Sequence, residues 1–471
     1  MSIRVLCHVN FSASQNAAAD SSLEFMRGVI SSILNVSTDF HFYVLVPTLV
    51  MEVWTEAFQS SNVTLLPYPT PPRIHGGDFY FDPAEMLRVL DLKSIEIDVL
   101  FLNQPEISAA FLQFFNKHTF HSIPAVSYTH WFDVRRRPTL KNVGWRPDLL
   151  SHGAGLLSCS INGVNSHFGE ESVIRWMSQY VKDSELAKLK SRFRIIPPGI
   201  DSGELLQSQS SCKHTDGKNR VLINHRVLEY TGVRQLLQSK LSKIWDRRRD
   251  FKVVVTNPSR ARVPGELLSQ EWIECGPFNR EDYISEMWRS DIVVSPHRST
   301  HWSISTLEAI GCECVPLMTC ESFFEELMRP VMQAIPDDHR EYAQSRWFYY
   351  RHALAPKLER LLDDFSRDKE IVVKAAATAR DHYDWLRQGQ IWVSVFESVV
   401  GETKLISEEN PSFKRLSNEI RKRGSITKKD ALKFLGWYPK QRLLSWSSFR
   451  RRLLEDFVDN ASQPESVYCE R

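Results

Sequence analysis

The chain is poor in several features that would have made its class plain. No apolar run approaches the roughly 20 residues needed to span a bilayer, so a helical membrane protein is not expected. The N-terminal stretch MSIRVLCHVNFSAS has one Arg and a short alternating run but no small-residue cleavage site. It reads as a first strand and not as a signal peptide. No glycine-rich loop follows that strand, where NFSASQNAAADSS offers Ser12, Ala13 and Ser14. The eight cysteines are scattered, and Cys312, Cys314 and Cys320 form a C-x-C-x5-C run without a matching His pair. That spacing argues for packing in an apolar core over a metal knuckle, so no metal site is expected. Unpaired cysteines suit a reducing, cytoplasmic compartment, whether the source is a cell or a virus. The N-x-[ST] matches at Asn35, Asn62 and Asn460 are then fortuitous.

What is present is the alternation of an α/β protein. With 471 residues, 42% of them apolar and 25% charged, the chain is soluble in composition and too long for one core. Strand-like runs at 4–9, 42–47, 63–67, 98–103, 124–130 and 155–161 alternate with helix-like segments near 20–35, 83–92, 106–117 and 166–181. The run RIIPPGID (194–201) closes this half, because consecutive prolines stop regular structure. A polar stretch at 202–219 reads as a linker. The pattern then restarts with strands at 220–225, 251–257, 271–276, 291–296 and 314–318, and helices near 232–242, 280–289 and 303–311. A long helical stretch follows at about 340–400. Buried apolar strands separated by amphipathic helices imply parallel sheets covered on both faces. The expected organisation is two Rossmann-like α/β domains (1–199 and 200–400) facing across a cleft, with the ligand site at the strands' carboxyl ends.

Charge sets the C-terminal region apart. Residues 411–452 hold thirteen Lys and Arg against Glu419 and Asp430, a net of +11, whereas the whole chain is only +2. Three short helix-like segments separated by Gly424 and Pro439 give a small all-α, helix-turn-helix-like module at 411–455, followed by an acidic tail at 456–471. Concentrated positive charge points to a polyanion, of which nucleic acid is the commonest. Lys428, Lys429, Arg450 and Arg451 are its candidate contacts.

Four segments of the second half stand in a fixed order: RIIPPGID, LINHRVLEYTGVRQLL (222–237), IECGPFNREDYISEMWRSDIVVSP (273–296) and STHWSISTLEAIGCECVPL (299–317). This order resembles the retaining, GT-B-fold glycosyltransferases of the group containing sucrose synthases and bacterial mannosyltransferases. The NHR triplet in place of the commoner GR is similar to the mannosyltransferases that decorate queuosine in transfer RNA. The resemblance implies a two-domain fold that transfers sugar from a UDP- or GDP-sugar with no added cofactor. It implies that Glu308 accepts hydrogen bonds from the ribose hydroxyls and that Arg226 meets the diphosphate. It places the backbone of Ser303, Ile304 and Ser305 at the diphosphate as well, where a helix N-terminus favours an anion. It also sets His130 beside the donor sugar, with Asp133 orienting it or binding the acceptor.

The chain departs from that pattern at Thr300, where an acid is usual, at Ser303 for a glycine, and near Thr231 for a lysine. His297, Arg298 and His301 add positive or neutral polar groups to the donor loop instead, beside Thr300, and Arg298 is a candidate replacement for the missing lysine. No Asp-x-Asp occurs, so arginine, helix dipole and backbone are expected to hold the diphosphate without a divalent metal. Trp131 and the run Arg135, Arg136, Arg137 follow His130 and would admit a flipped-out base. The acceptor expected from these charges is a modified base in nucleic acid, with hydroxymethylpyrimidine in DNA ahead of transfer-RNA queuosine, a lipid or a glycan. The non-enzymatic alternative is an inactive transferase core that binds nucleic acid.

Overall fold

The computed structural model describes residues 2–9, 21–68, 83–90, 95–119, 123–130, 147–209, 217–225, 227, 232–256, 265–276, 279–296, 302–320, 323–350 and 353–409. The first sheet contains β1 (Ile3–His8), β2 (Phe40–Pro47), β3 (Val63–Tyr68), β4 (Val99–Leu102), β5 (Ala125–Thr129), β6 (Ile161–Val164) and β7 (Phe193–Ile195). The second contains β8 (Asn219–Ile223), β9 (Phe251–Thr256), β10 (Ile273–Gly276), β11 (Ile292–Ser295), β12 (Val315–Thr319) and β13 (Phe348–Tyr349). The orders are β3-β2-β1-β4-β5-β6-β7 and β10-β9-β8-β11-β12-β13. Every pairing is parallel.

Both sheets grow outward from their first strand, then reverse and continue from its other side. The reversal leaves a crevice between the carboxyl ends of β1 and β4, and another between β8 and β11. Helices cover both faces, which is why VVV in β9 and IVV in β11 are continuously apolar and fully enclosed. The second half packs around one core that includes Leu222, Val254, Val293, Leu317 and Trp347.

The chain crosses between halves twice, at adjacent points. The Ile200 N–H donates to Tyr383 O at 2.8 Å, and the Trp385 N–H donates to Ile200 O at 3.1 Å. Helix Trp385–Glu409 then returns to the first half, burying Trp392, Phe396 and Val399 against its core. The joint is tight: a Cβ on Gly199 would lie 2.6 Å from the Trp385 ring, and one on Gly28 would lie 2.3 Å from it. Elsewhere Glu326 of the second half accepts the N–H groups of His167 (2.6 Å) and Phe168 (3.1 Å), capping helix His167–Met177 of the first.

Several expectations need correction. The run at 155–161 is not a strand: Gly155 to Ser158 end the helix Pro147–Ser158, and β6 begins only at Ile161. An apolar run of that length carries no period that separates buried helix from buried strand. Here Gly155 lets its helix approach Pro105 so closely that a Cβ would fall 1.7 Å from the Pro105 carbonyl oxygen. The polar stretch at 202–219 opens with a helix, Ser202–Gln207, capped by Asp201 through the Glu204 N–H at 2.8 Å. The helical stretch at 340–400 is interrupted by β13, a two-residue edge strand too short to show in sequence. The basic module at 411–455 and the tail at 456–471 lie outside the described residues.

Cys312 and Cys314 are buried and free, and Cys314 Sγ donates to Met287 O at 3.1 Å. They pack in the second core. Among the described residues no helix is long and apolar enough to cross a membrane.

Candidate active site

The carboxyl ends of the strands carry the polar groups that the cores exclude. Eight buried side-chain nitrogen or oxygen atoms have no hydrogen-bond partner among the described residues. Five belong to His8, His130, Asn224, Thr256 and Trp302. His8, His130 and Asn224 end or follow β1, β5 and β8; Thr256 ends β9, and Trp302 precedes the helix after β11. A buried polar atom left unpaired costs about 1–3 kcal/mol, and the gathering of these five on one edge of each sheet sets that edge apart from the apolar cores.

In the second half the edge is built around helix Ile304–Gly311. Ser303 is its N-cap, with the hydroxyl accepting the Thr306 N–H at 3.2 Å. That bond satisfies one of the first-turn amides that the helix itself leaves without an intrahelical partner. The other end is held by Arg380, whose guanidinium donates to Gly311 O. The end of β8 is fastened to the helix start: Asn224 Nδ2 donates to Ser305 O, and His225 Nδ1 lies 3.4 Å from Ser305 Oγ. His225 Nε2 lies 3.3 Å from Ser295 Oγ and 3.4 Å from Thr306 Oγ1. Segments some eighty residues apart in sequence therefore meet at the second switch point.

Glu308 sits one turn into this helix and is only 7% exposed. Its two oxygens have different partners. Oε1 pairs with Arg280 Nη1 at 2.7 Å, and Oε2 accepts the Tyr283 hydroxyl at 3.2 Å. Burial, and next the neighbouring Glu308 charge, raise the Tyr283 hydroxyl well above its ordinary value, so it stays a donor. Arg280 is held in turn by Glu204, with Nε at 3.0 Å and Nη2 at 2.7 Å from Oε2.

In the first half, His130 follows β5 and packs against Phe25 and Tyr128, with ring centroids 4.5 and 4.9 Å apart in edge-to-face geometry. Its carbonyl oxygen accepts Asn165 Nδ2 at 2.7 Å. Burial lowers its pKa to about 3, so the imidazole is neutral at physiological pH. His8 lies between Tyr68 and Phe111, and burial lowers its pKa to about 4. Beside them His152 bridges Glu106, at 2.9 Å through Nδ1, and Thr129, at 3.2 Å through Nε2.

Of the residues singled out in the sequence, Ser303, Ile304, Ser305 and Glu308 come together on one helix, and His130 lies on the other sheet's edge. Arg226 lies outside the described residues, although His225 before it and Val227 after it do not. Thr231, His297, Arg298, Thr300, Trp131, Asp133, Arg135, Arg136, Arg137, Lys428, Lys429, Arg450 and Arg451 also lie outside them. The residues missed are Arg280, Tyr283, Glu204, His8 and His225. Arg280 left one readable trace. It is the first residue of helix Arg280–Arg289, where a cation opposes the helix dipole unless carboxylates offset it.

Two parallel sheets of this order, joined by a double crossover with a returning C-terminal helix, can be compared with solved structures. Sucrose-phosphate synthase from Thermosynechococcus elongatus superposes with a TM-score of 0.60 at 11% identity, covering 85% of this chain and all of that one. A glycosyltransferase from Rickettsia africae gives 0.56 at 13% identity over 85% of this chain and 99% of its own. A trehalose-6-phosphate protein from E. coli, bound with UDP-2-fluoro glucose, gives 0.56 at 10% over 83% and 98%. The fold is GT-B. No family model matches the chain. A tRNA-queuosine alpha-mannosyltransferase from Drosophila melanogaster is 27% identical over 99 residues, which are 20% of this chain. The chain spans about a quarter (26%) of that relative's length.

Proposed function

We propose that the protein is a nucleotide-sugar-dependent glycosyltransferase that transfers its sugar, with retention, to a hydroxyl on a modified base of nucleic acid. The observation that carries this reading is the second sheet's carboxyl edge. There a buried carboxylate and a capped helix start lie on one helix, at the switch point of a GT-B fold. Glu308 suits two vicinal ribose hydroxyls, and the amides of Ile304 and Ser305 suit a phosphate. Arg226 and Arg298 add the cations that stabilise charge on the departing diphosphate. In the transfer, the bond from the anomeric carbon to the diphosphate oxygen breaks and one to the acceptor oxygen forms on the same face. The hydroxyl proton leaves with the nucleoside diphosphate. His130, neutral and unpaired at Nε2, supplies a hydrogen-bonding group beside the sugar without adding charge. This assignment of roles needs no divalent metal.

Two observations support a nucleic-acid acceptor. The segment 411–452 concentrates a net charge of +11, which gives phosphate affinity that falls steeply with salt. The Drosophila relative is named for action on transfer-RNA queuosine. That likeness moves transfer RNA ahead of DNA hydroxymethylpyrimidine, which rests on the sequence's charge and aromatic pattern alone. The test is mass spectrometry of nucleosides from transfer RNA and from hydroxymethylated DNA after incubation with GDP-mannose, UDP-glucose and related donors. A hexose added to a transfer-RNA nucleoside is the expected result. Label on DNA would replace the acceptor. Neither product, with no slow hydrolysis of any donor, would overturn the enzymatic reading.

A further inference from the structure

Glu204 lies outside the four ordered segments and Arg280 lies in the third of them with no role assigned to it, yet Arg280 joins Glu204 to Glu308. Glu204 lies three residues beyond Asp201, in the first helix after the crossover. That helix is fastened at several points. Ser202 Oγ donates to Arg380 O at 2.8 Å, the Ser202 N–H donates to Asp384 at 3.3 Å, and Leu205 O accepts Trp288 Nε1 at 2.7 Å. Glu204 is thus a carboxylate on a fixed support. It takes Arg280 through Nε and Nη2, the paired donors of the guanidinium fork, and leaves Nη1 for Glu308. The Arg280 guanidinium also lies 5.6 Å from the Tyr283 ring centre, and Tyr283 holds the second oxygen of Glu308.

Burial works against the charge of Arg280, but Glu308 and then Glu204 more than reverse this, and its pKa is raised. The guanidinium is therefore a permanent cation with both edges committed. Its side chain is 45% exposed and that of Glu308 only 9%, so the arginine is the solvent-side member of the pair. A carboxylate oxygen accepts two hydrogen bonds, so one bond to Arg280 and one to Tyr283 leave one acceptor position free on each oxygen.

We propose that Arg280, anchored by Glu204, is a positioning residue that fixes the Glu308 carboxylate so that its two free acceptor positions receive a nucleotide's ribose 2′- and 3′-hydroxyls. The proposal rests on the reading of Glu308 as the ribose-binding group. It assigns to the first helix after the crossover a part in choosing ribonucleotide donors. Lysine cannot replace Arg280, because its three donors radiate from one nitrogen, whereas the planar guanidinium meets Glu204 through Nε and Nη2 and reaches Glu308 through a third nitrogen, Nη1.

The test is calorimetric titration of the full chain with GDP and UDP, each against its 2′,3′-dideoxy counterpart. The ratio of the two affinities isolates the ribose contacts from those to base and phosphate. The wild type should prefer the ribonucleotide by about tenfold or more, as hydrogen bonds to a charged acceptor warrant. In Arg280→Ala the ratio should fall to about twofold, Arg280→Lys should fail to restore it, and Glu204→Gln should fall between. A purely structural role for Arg280 would lower the melting temperature or weaken both nucleotides alike, leaving the ratio unchanged. A wild type without preference would overturn the reading of Glu308, and this inference with it. A preference that survives in both Arg280→Ala and Glu204→Gln would overturn this inference alone.

Discussion

The two sheets present the same architectural edge and furnish it in opposite ways. At the first, the groups are neutral imidazoles walled by aromatic rings: His8 against Tyr68 and Phe111, and His130 against Phe25 and Tyr128. At the second, an arginine and two carboxylates are joined by short bonds, beside a helix start capped by Ser303. An apolar wall disfavours charge and suits the sugar and its incoming partner. A paired, charged wall suits the ribose and phosphates, which bring their own polar groups. Under the proposed function, the second edge would recognise the nucleotide and the first would handle the reacting sugar.

The sharpest way to break this division is to exchange losses between the edges. Glu308→Ala should weaken nucleoside diphosphate binding by about 100-fold, near 3 kcal/mol, because two hydrogen bonds to a charged acceptor vanish. His130→Phe should leave that affinity within about twofold and lower turnover, since its aromatic neighbours accept a ring of similar size. Calorimetry and product assays on the same preparations check both, and matching losses in the two variants would erase the distinction.

The joint between the halves comes next. Gly199→Ala forces a methyl into the Trp385 ring, where the Cβ would be 2.6 Å away. The expected cost is about 1–3 kcal/mol. An unchanged melting temperature would mean that the ring moves freely, and that the crossover does not fix one half against the other.

Acid should expose the first edge. The pKa of His8 falls to about 4 and that of His130 to about 3, both by burial. The unfolded chain therefore binds more protons below about pH 6.5, and stability falls as pH falls. The contribution of each ring is fully present above pH 6.5. By pH 5 each should have cost about 2 kcal/mol. Denaturant melts at pH 7, 6 and 5 check this, and His8→Phe should flatten the slope by about half. An identical slope in that variant would show that His8 is not held neutral.

The smallest effect belongs to the cap. Ser303→Ala removes the acceptor of the Thr306 N–H, at a cost of about 1 kcal/mol. Nucleotide affinity should change only a few-fold, since the Ile304 and Ser305 amides remain. A loss as large as that of Glu308→Ala would give the Ser303 hydroxyl itself a ligand.

Much of this was legible because it rests on local order. Runs such as FKVVVT and IVVS are rich in β-branched residues, which favours strands over helices where amphipathic helices flank them. The order of STHWSISTLEAIG and its neighbours located Ser303 and Glu308 on a helix following a strand. The misreading of 155–161 shows the limit: GLLS is as apolar in a buried helix as in a strand, and only its contact with Pro105 separates the two. Cys312 and Cys314 do pack in the second core, as their apolar surroundings in the sequence suggested.

By itself, then, the sequence determined the two α/β halves, the edge on which their polar residues fall, and the helix that carries Glu308. These follow from periodicity and from residues close together in the chain. Only the tertiary structure decided that Arg280 and Glu204, 76 residues apart, share one ion pair and that Arg280 reaches Glu308. It likewise decided that Ile200 meets Tyr383 and Trp385 where the chain crosses twice. A charged side chain carries no mark of its partner. Which carboxylate an arginine meets is set by how the sheet order folds distant strand ends together.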